Sequence, residues 1–171
     1  MSDEIILGEV DTPAGRYGAV YTAAGLARLA FPGEPAAACA RWLQRWAPGA
    51  RVRTGGRQLA ELAEQLGAYF AGQLRVFSLP LDLRGTPFQL RVWGELLTIG
   101  YGVVRRYAEV AAAIGAPRAC RAVGAANGAN PIPIIVPCHR LVGAHGQLIK
   151  YGGGLGLKRR LLALEHAAGY S

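Results

Sequence analysis

Residues 130–137, Asn-Pro-Ile-Pro-Ile-Ile-Val-Pro, are apolar enough to be buried and read as a strand-like run. Their three prolines nevertheless remove the backbone donors that a central sheet strand must supply. The run delivers Cys138, His139 and Arg140 at its end. A free thiol ionises near about pH 8.5, so only a few per cent is thiolate at neutral pH and a nucleophilic cysteine needs a base or a positive charge beside it. His139 is a candidate base. Neighbours on an extended strand point to opposite faces, so the two communicate if the chain turns at Cys138 or if a water bridges them. A carboxylate orienting the imidazole completes a relay, and the second half of the chain offers Asp82, Glu95, Glu109 and Glu165. The competing reading of Cys138 is a buried structural cysteine, since free cysteines are among the most buried residues.

The chain has 171 residues, 51% hydrophobic and 18% charged, which suffices for a real core in one or two modest domains. Its net charge of +8 is uneven. Residues 1–80 carry eight basic and seven acidic side chains, whereas residues 81–171 carry eleven and four. The second half is therefore the part suited to a polyanion such as DNA, RNA or an anionic membrane surface. No apolar stretch approaches the roughly 20 residues that span a bilayer, and the N-terminal Met-Ser-Asp-Glu is acidic where a signal peptide is basic. A cytoplasmic protein without a membrane partner is expected. Cys39, Cys120 and Cys138 are odd in number and lack ligand spacing, and there are only three histidines. Neither a disulfide framework nor a structural metal is expected, and no cofactor is implied.

The first 81 residues read as a small α/β structural domain. Arg16 to Thr22 and Leu26 to Phe31 outline a hairpin around Ala23-Ala24-Gly25, followed by helices over Ala36 to Trp46 and Arg57 to Phe70. A short strand is expected around Val76 to Leu81, and the second domain spans 82–171. There Thr86 and Pro87 supply an N-cap and a first helical residue. Phe88, Val92, Trp93, Leu96 and Leu97 form the buried face of the helix they start. Arg106 to Ile114 and Arg118 to Asn127, separated by Gly115-Ala116-Pro117, outline a helix-turn-helix. The second of these helices combines a small-residue surface (Ala119, Ala122, Gly124) with Arg118 and Arg121, a surface that can lie close to a phosphate backbone. Close helix packing is the competing explanation.

These blocks together resemble the O6-alkylguanine-DNA alkyltransferases. The resemblance runs through Gly85-Thr86-Pro87-Phe88-Gln89, Tyr101-Gly102, Arg121-Ala122-Val123-Gly124, Val136-Pro137-Cys138-His139-Arg140, Tyr151-Gly152-Gly153-Gly154-Leu155 and Glu165. It implies an α+β protein: a ribonuclease-H-like N-terminal domain and a mainly helical C-terminal one with the helix-turn-helix. It implies direct-reversal repair, in which Cys138 irreversibly takes the alkyl group from O6 of guanine in double-stranded DNA and each chain acts once. O4-alkylthymine is a second candidate lesion. His139 is then the base, Glu165 its support and Asn130 the brace of the turn. Tyr107, Tyr151, Gly152 and Leu141 border the pocket. Arg121 fills the space of a base flipped out through the minor groove, with Ala119, Ala122 and Gly124 permitting close approach. Arg106, Arg118 and Arg140 serve as DNA contacts. A monomer associated with the nucleoid is the expected state, and whether it binds DNA cooperatively is left open by the sequence.

The loop Leu148-Ile149-Lys150 departs from the family, whose residues before the tyrosine are small; Ile149 and Lys150 are expected to narrow the pocket or add a phosphate contact. Cys120 reads as a packing residue, and His145 and His166 as surface residues. The alternatives are a lesion-binding sensor of the alkyltransferase-like kind, whose members lack the cysteine, a thiol hydrolase that turns over, and a transcriptional regulator, which needs additional domains.

Overall fold

The computed structural model describes residues 4–171 and divides into two units between Arg84 and Gly85. In the first unit β1 (Glu4–Thr12), β2 (Gly15–Thr22), β3 (Gly25–Ala30) and β4 (Arg51–Thr54) form one sheet in the order β3-β2-β1-β4. The β1–β2 and β2–β3 pairs are antiparallel, and β4 adds parallel to β1. Helices α1 (Ala36–Trp46) and α2 (Arg57–Phe70) have the expected bounds. Leu62, Leu66 and Tyr69 of α2 are fully buried, while Trp42 and Leu43 of α1 pack against the cluster of Ile5, Val20 and Ala47. A Cβ on Gly8 would collide with the Leu59 side chain, so glycine in β1 is what lets α2 approach the sheet.

The strand expected over residues 76–81 does not form. Its only ladder element is an isolated bridge from Leu81 to Leu26, with Leu26 N donating to Pro80 O at 2.9 Å and Asp82 N to Leu26 O at 2.8 Å. Pro80 has no N–H to continue the ladder. Asp82 also accepts from Thr22 Oγ1 at 2.7 Å and Arg84 Nε at 2.9 Å, so the chain through Arg84 is tied to the first unit and the division falls just beyond residue 82.

The second unit is built on α3 (Pro87–Leu96), α4 (Tyr107–Ala113), α5 (Cys120–Gly128) and α6 (Leu155–Leu164), with the short parallel pair β5 (Arg105–Arg106) and β6 (Leu141–Val142). Helix α3 starts on a capping box: Thr86 Oγ1 accepts from Gln89 N at 3.3 Å and Gln89 Oε1 from Thr86 N at 2.9 Å. Val92, Trp93 and Leu96 are buried, but Phe88 is only half-buried and Leu97 is exposed, because Leu97 caps the helix end. Trp93 Nε1 donates to Ala126 O at 2.8 Å and fastens α3 to α5. Helix α5 begins at Cys120 rather than Arg118, which leaves Arg118 in the connection and Ala119 at the N-cap.

Candidate active site

Residues 131–143 form a continuous buried stretch, although its first part, 131–137, is not a strand. Between Pro131 and Pro137 the chain turns back on itself, with Val136 N donating to Ile132 O at 2.9 Å and Ile134 held at φ 72°. That left-handed conformation is costly for a β-branched residue and is held here by near-complete burial of its side chain. Cys138, His139 and Arg140 then form a 3-10 turn, so the side-to-side alternation expected of an extended chain does not apply. All three side chains point into the protein, with Cys138 4% and His139 0% exposed.

Asparagines brace this turn from two sides. Asn130 Nδ2 donates to Val136 O at 2.9 Å while its Oδ1 accepts from Ile132 N at 3.0 Å. Buried Asn127, at the end of α5, donates to Cys138 O at 3.4 Å. Burial pushes the pKa of the Cys138 thiol up, against the opposing influence of the Asn130 and Tyr151 side chains and the Lys158 charge, so the resting group is a thiol.

His139 Nε2 lies 2.7 Å from Glu165 Oε1, and Nδ1 has no hydrogen-bond partner among the described residues. Burial holds the imidazole below its ordinary pKa; Glu165 pulls upward, and the Arg140 and Lys158 charges push down. The ring is therefore neutral at neutral pH and able to take a proton. Glu165 caps α6, and its Oε2 accepts from Gly102 N at 3.1 Å. Gly102 has φ 76°, and a Cβ there would stand 2.8 Å from Glu165 O, so both conformation and space favour glycine.

A cavity of about 680 Å³ is walled by Tyr107 and by Arg121 and Gly124 of α5 on one part, and by Ile149, Lys150, Tyr151 and Gly152 on another. Cys120 also lines it and donates weakly to Pro117 O at 3.9 Å. Cys138 is not part of the wall, but it is electrostatically coupled to both tyrosines: Tyr151 favours its ionised form, and Cys138 adds to the burial that raises the pKa of Tyr107. Arg106, Arg118, Arg121 and Ala122 are exposed, as are His145 and His166.

Two expected roles are corrected. Arg140 is 7% exposed and bound to Glu165 through Nε at 2.9 Å and Nη2 at 3.0 Å, while Nη1 donates to Ile99 O. A guanidinium so enclosed is no DNA contact. Leu141 is completely buried in β6 and absent from the cavity wall, so it does not border the pocket.

Lys158 was not anticipated. It is completely buried, donates to Ile149 O at 3.1 Å and lies 6.0 Å from the Tyr151 ring centre. Burial lowers its pKa to about 8, against the pull of Cys138. The signal was in the spacing: Lys158, Leu161, Leu162 and Glu165 share one buried face of α6, putting two charges on a stripe that is otherwise apolar. Among the described residues no three His, Cys, Asp or Glu side chains are grouped as metal ligands, and no helix is long and apolar enough to cross a membrane.

Residues 87–167 match the family described as 6-O-methylguanine DNA methyltransferase, DNA binding domain. The methylated-DNA–protein-cysteine methyltransferase of Mycolicibacterium paratuberculosis is 62% identical over 109 residues, which are 64% of this chain and 66% of that protein. The chain thus spans slightly less than two thirds of this relative by sequence. The crystal structure of the Mycobacterium tuberculosis O6-methylguanine methyltransferase superposes with a TM-score of 0.78 at 45% identity, covering 95% of this chain and 93% of that one. A structure of the same organism's protein in complex with DNA gives a TM-score of 0.80 at 44% identity over 95% and 92% of the two chains. The likeness extends over both units, and the chain belongs to the 6-O-methylguanine DNA methyltransferase family.

Proposed function

We propose that the protein repairs DNA by transferring the alkyl group from O6 of guanine to Cys138, once per chain. The observation that carries this reading is the buried His139: neutral, anchored through Nε2 to Glu165, with Nδ1 unpartnered and next in the chain to a thiol that its surroundings keep protonated. A protonated thiol attacks poorly, so proton removal must accompany attack. The thiol proton passes through a water to Nδ1. The sulfur pair forms the S–C bond, the C–O6 bond breaks, and its electron pair goes to the guanine. Tyr107 donates a proton to a guanine ring nitrogen and is reprotonated at the expense of the imidazolium. A thioether does not hydrolyse, so the product is permanent.

The target atom is out of reach in a stacked duplex, which requires the nucleotide to be extruded at a cost of about a few kcal/mol. Arg121 is exposed on α5 and lines the cavity, which supports it as the side chain that occupies the emptied stack. Gly124 in the same wall keeps the helix surface low. Exposed Arg106 and Arg118 supply phosphate contacts, which contribute affinity without reading sequence. Lys150, at the cavity rim, adds another. Duplex DNA containing O6-alkylguanine is the partner this reading implies.

Cys138→Ser tests the assignment. It should abolish transfer of a labelled methyl group from a duplex oligonucleotide while leaving selective binding of the lesion in place. Transfer that survives the change would exclude Cys138 as the acceptor.

A further inference from the structure

The Glu165 carboxylate meets four donors, and their identities determine where the protons sit on His139. Oε1 faces His139 Nε2 at 2.7 Å and Arg140 Nη2 at 3.0 Å; Oε2 faces Arg140 Nε at 2.9 Å and Gly102 N at 3.1 Å. A guanidinium and a backbone amide only donate, so the carboxylate accepts throughout and the ring nitrogen opposite it carries a hydrogen. A lone ionised carboxylate beside an imidazole favours the imidazolium, which has no lone pair to offer. Arg140 alters that balance, because its permanently charged fork already neutralises Glu165 through two bonds. The charged or titratable groups facing His139 are Cys138 and Arg140 in its own turn and Lys158 and Glu165 from α6. They comprise two cations and one anion, so protonating the ring would bury a third positive charge.

We propose that Arg140 is a positioning residue for the transfer: by neutralising Glu165 it lets burial keep His139 uncharged, with the hydrogen on Nε2 and the accepting lone pair on Nδ1. This rests on the reading of Cys138 as the alkyl acceptor. The burial of Arg140 acquires a purpose beyond packing, since an apolar residue would fill the space and leave Glu165 to draw a proton onto the ring.

Two measurements test it. Nitrogen NMR of histidine-labelled wild-type protein, free of DNA, should report a neutral His139 with Nε2–H at neutral pH; an imidazolium or an Nδ1–H ring overturns the proposal whether or not the protein transfers alkyl groups. The second is the pH profile of the reaction with free O6-benzylguanine. Arg140→Met should move the acid limb up by about one pH unit or more and slow the reaction several-fold at neutral pH, with recovery at higher pH. Arg140→Lys, which keeps the charge, should slow the reaction and leave the limb where it was. A limb unmoved in Arg140→Met, with equal loss at every pH, makes Arg140 merely structural. If that variant does not fold, Glu165→Gln should move the limb down, and a limb that moves up contradicts the charge balance. Failure of wild type to react at all removes the alkyl-acceptor reading, while the NMR result still decides the state of His139.

Discussion

The two units differ in how deeply they bury charge. In the first, Arg16 pairs with Asp11 at 2.7 Å and Arg53 with Glu4 at 3.4 Å on the surface, and the Arg28–Glu34 and Arg84–Asp82 pairs are partly buried. In the second, Arg140, Lys158 and Glu165 lie inside, with His139 and Cys138 among them. Solvent-exposed pairs add little to stability, because water and salt screen them and ordering long side chains offsets the gain. Buried charges are tolerated only when each is paired and hydrogen-bonded, and removing one strands the others. The first unit is thus assembled for stability, whereas the second carries a desolvated polar cluster that only a function justifies.

Breaking one pair in each unit sharpens that contrast. Glu165→Ala strands Arg140 inside the protein and should cost about 3–5 kcal/mol in chemical denaturation. Arg121→Ala comes next: it should slow repair of duplex substrate by about tenfold or more and leave the reaction with free O6-benzylguanine nearly unchanged. Equal losses on both substrates would remove Arg121 from the extrusion step. Thr86→Ala, which deletes the α3 capping box without touching the cluster, should cost about 1 kcal/mol. Asp11→Asn, on the exposed pair, should leave the unfolding midpoint where it is.

Acid acts on the buried cluster through His139. His139 is held below its ordinary pKa, so between its folded and unfolded values the unfolded chain binds the extra proton. Its contribution to stability is complete above about pH 6.5 and is lost progressively as the pH falls below that value. Thermal unfolding followed against pH should show this acid loss in wild type and a flatter profile in His139→Gln. Identical slopes would mean that His139 is not buried neutral.

What was legible in the sequence depended on how local its cause was. The start of α3 was readable because Thr86 and Pro87 carry the capping signal within four residues, and α2 because Leu59, Leu62, Leu66 and Phe70 repeat at helical spacing. Strand β1 escaped notice although it closes a tight hairpin with β2 across Pro13-Ala14; only its parallel pairing with β4 is non-local. The turn at Cys138 could not be told from a strand by hydropathy, because residues 131–137 are apolar and buried in either case. Arg140 was expected at the DNA with Arg106 and Arg118 on the strength of the resemblance, and only its bonds to Glu165 and Ile99 reveal the burial. Lys158 was visible in principle, as one of two lysines in an arginine-rich chain and at an apolar position of α6.

The central claim is that Cys138 accepts an alkyl group and keeps it. The most direct measurement is an intact-protein and peptide mass spectrum after incubation with excess duplex oligonucleotide containing O6-methylguanine. A single methyl group in place of one hydrogen is expected, confined to the peptide containing Cys138 and stopping at one per chain. An unchanged mass, despite tight and selective binding of the lesion, would contradict it and identify a damage sensor whose cysteine is inert.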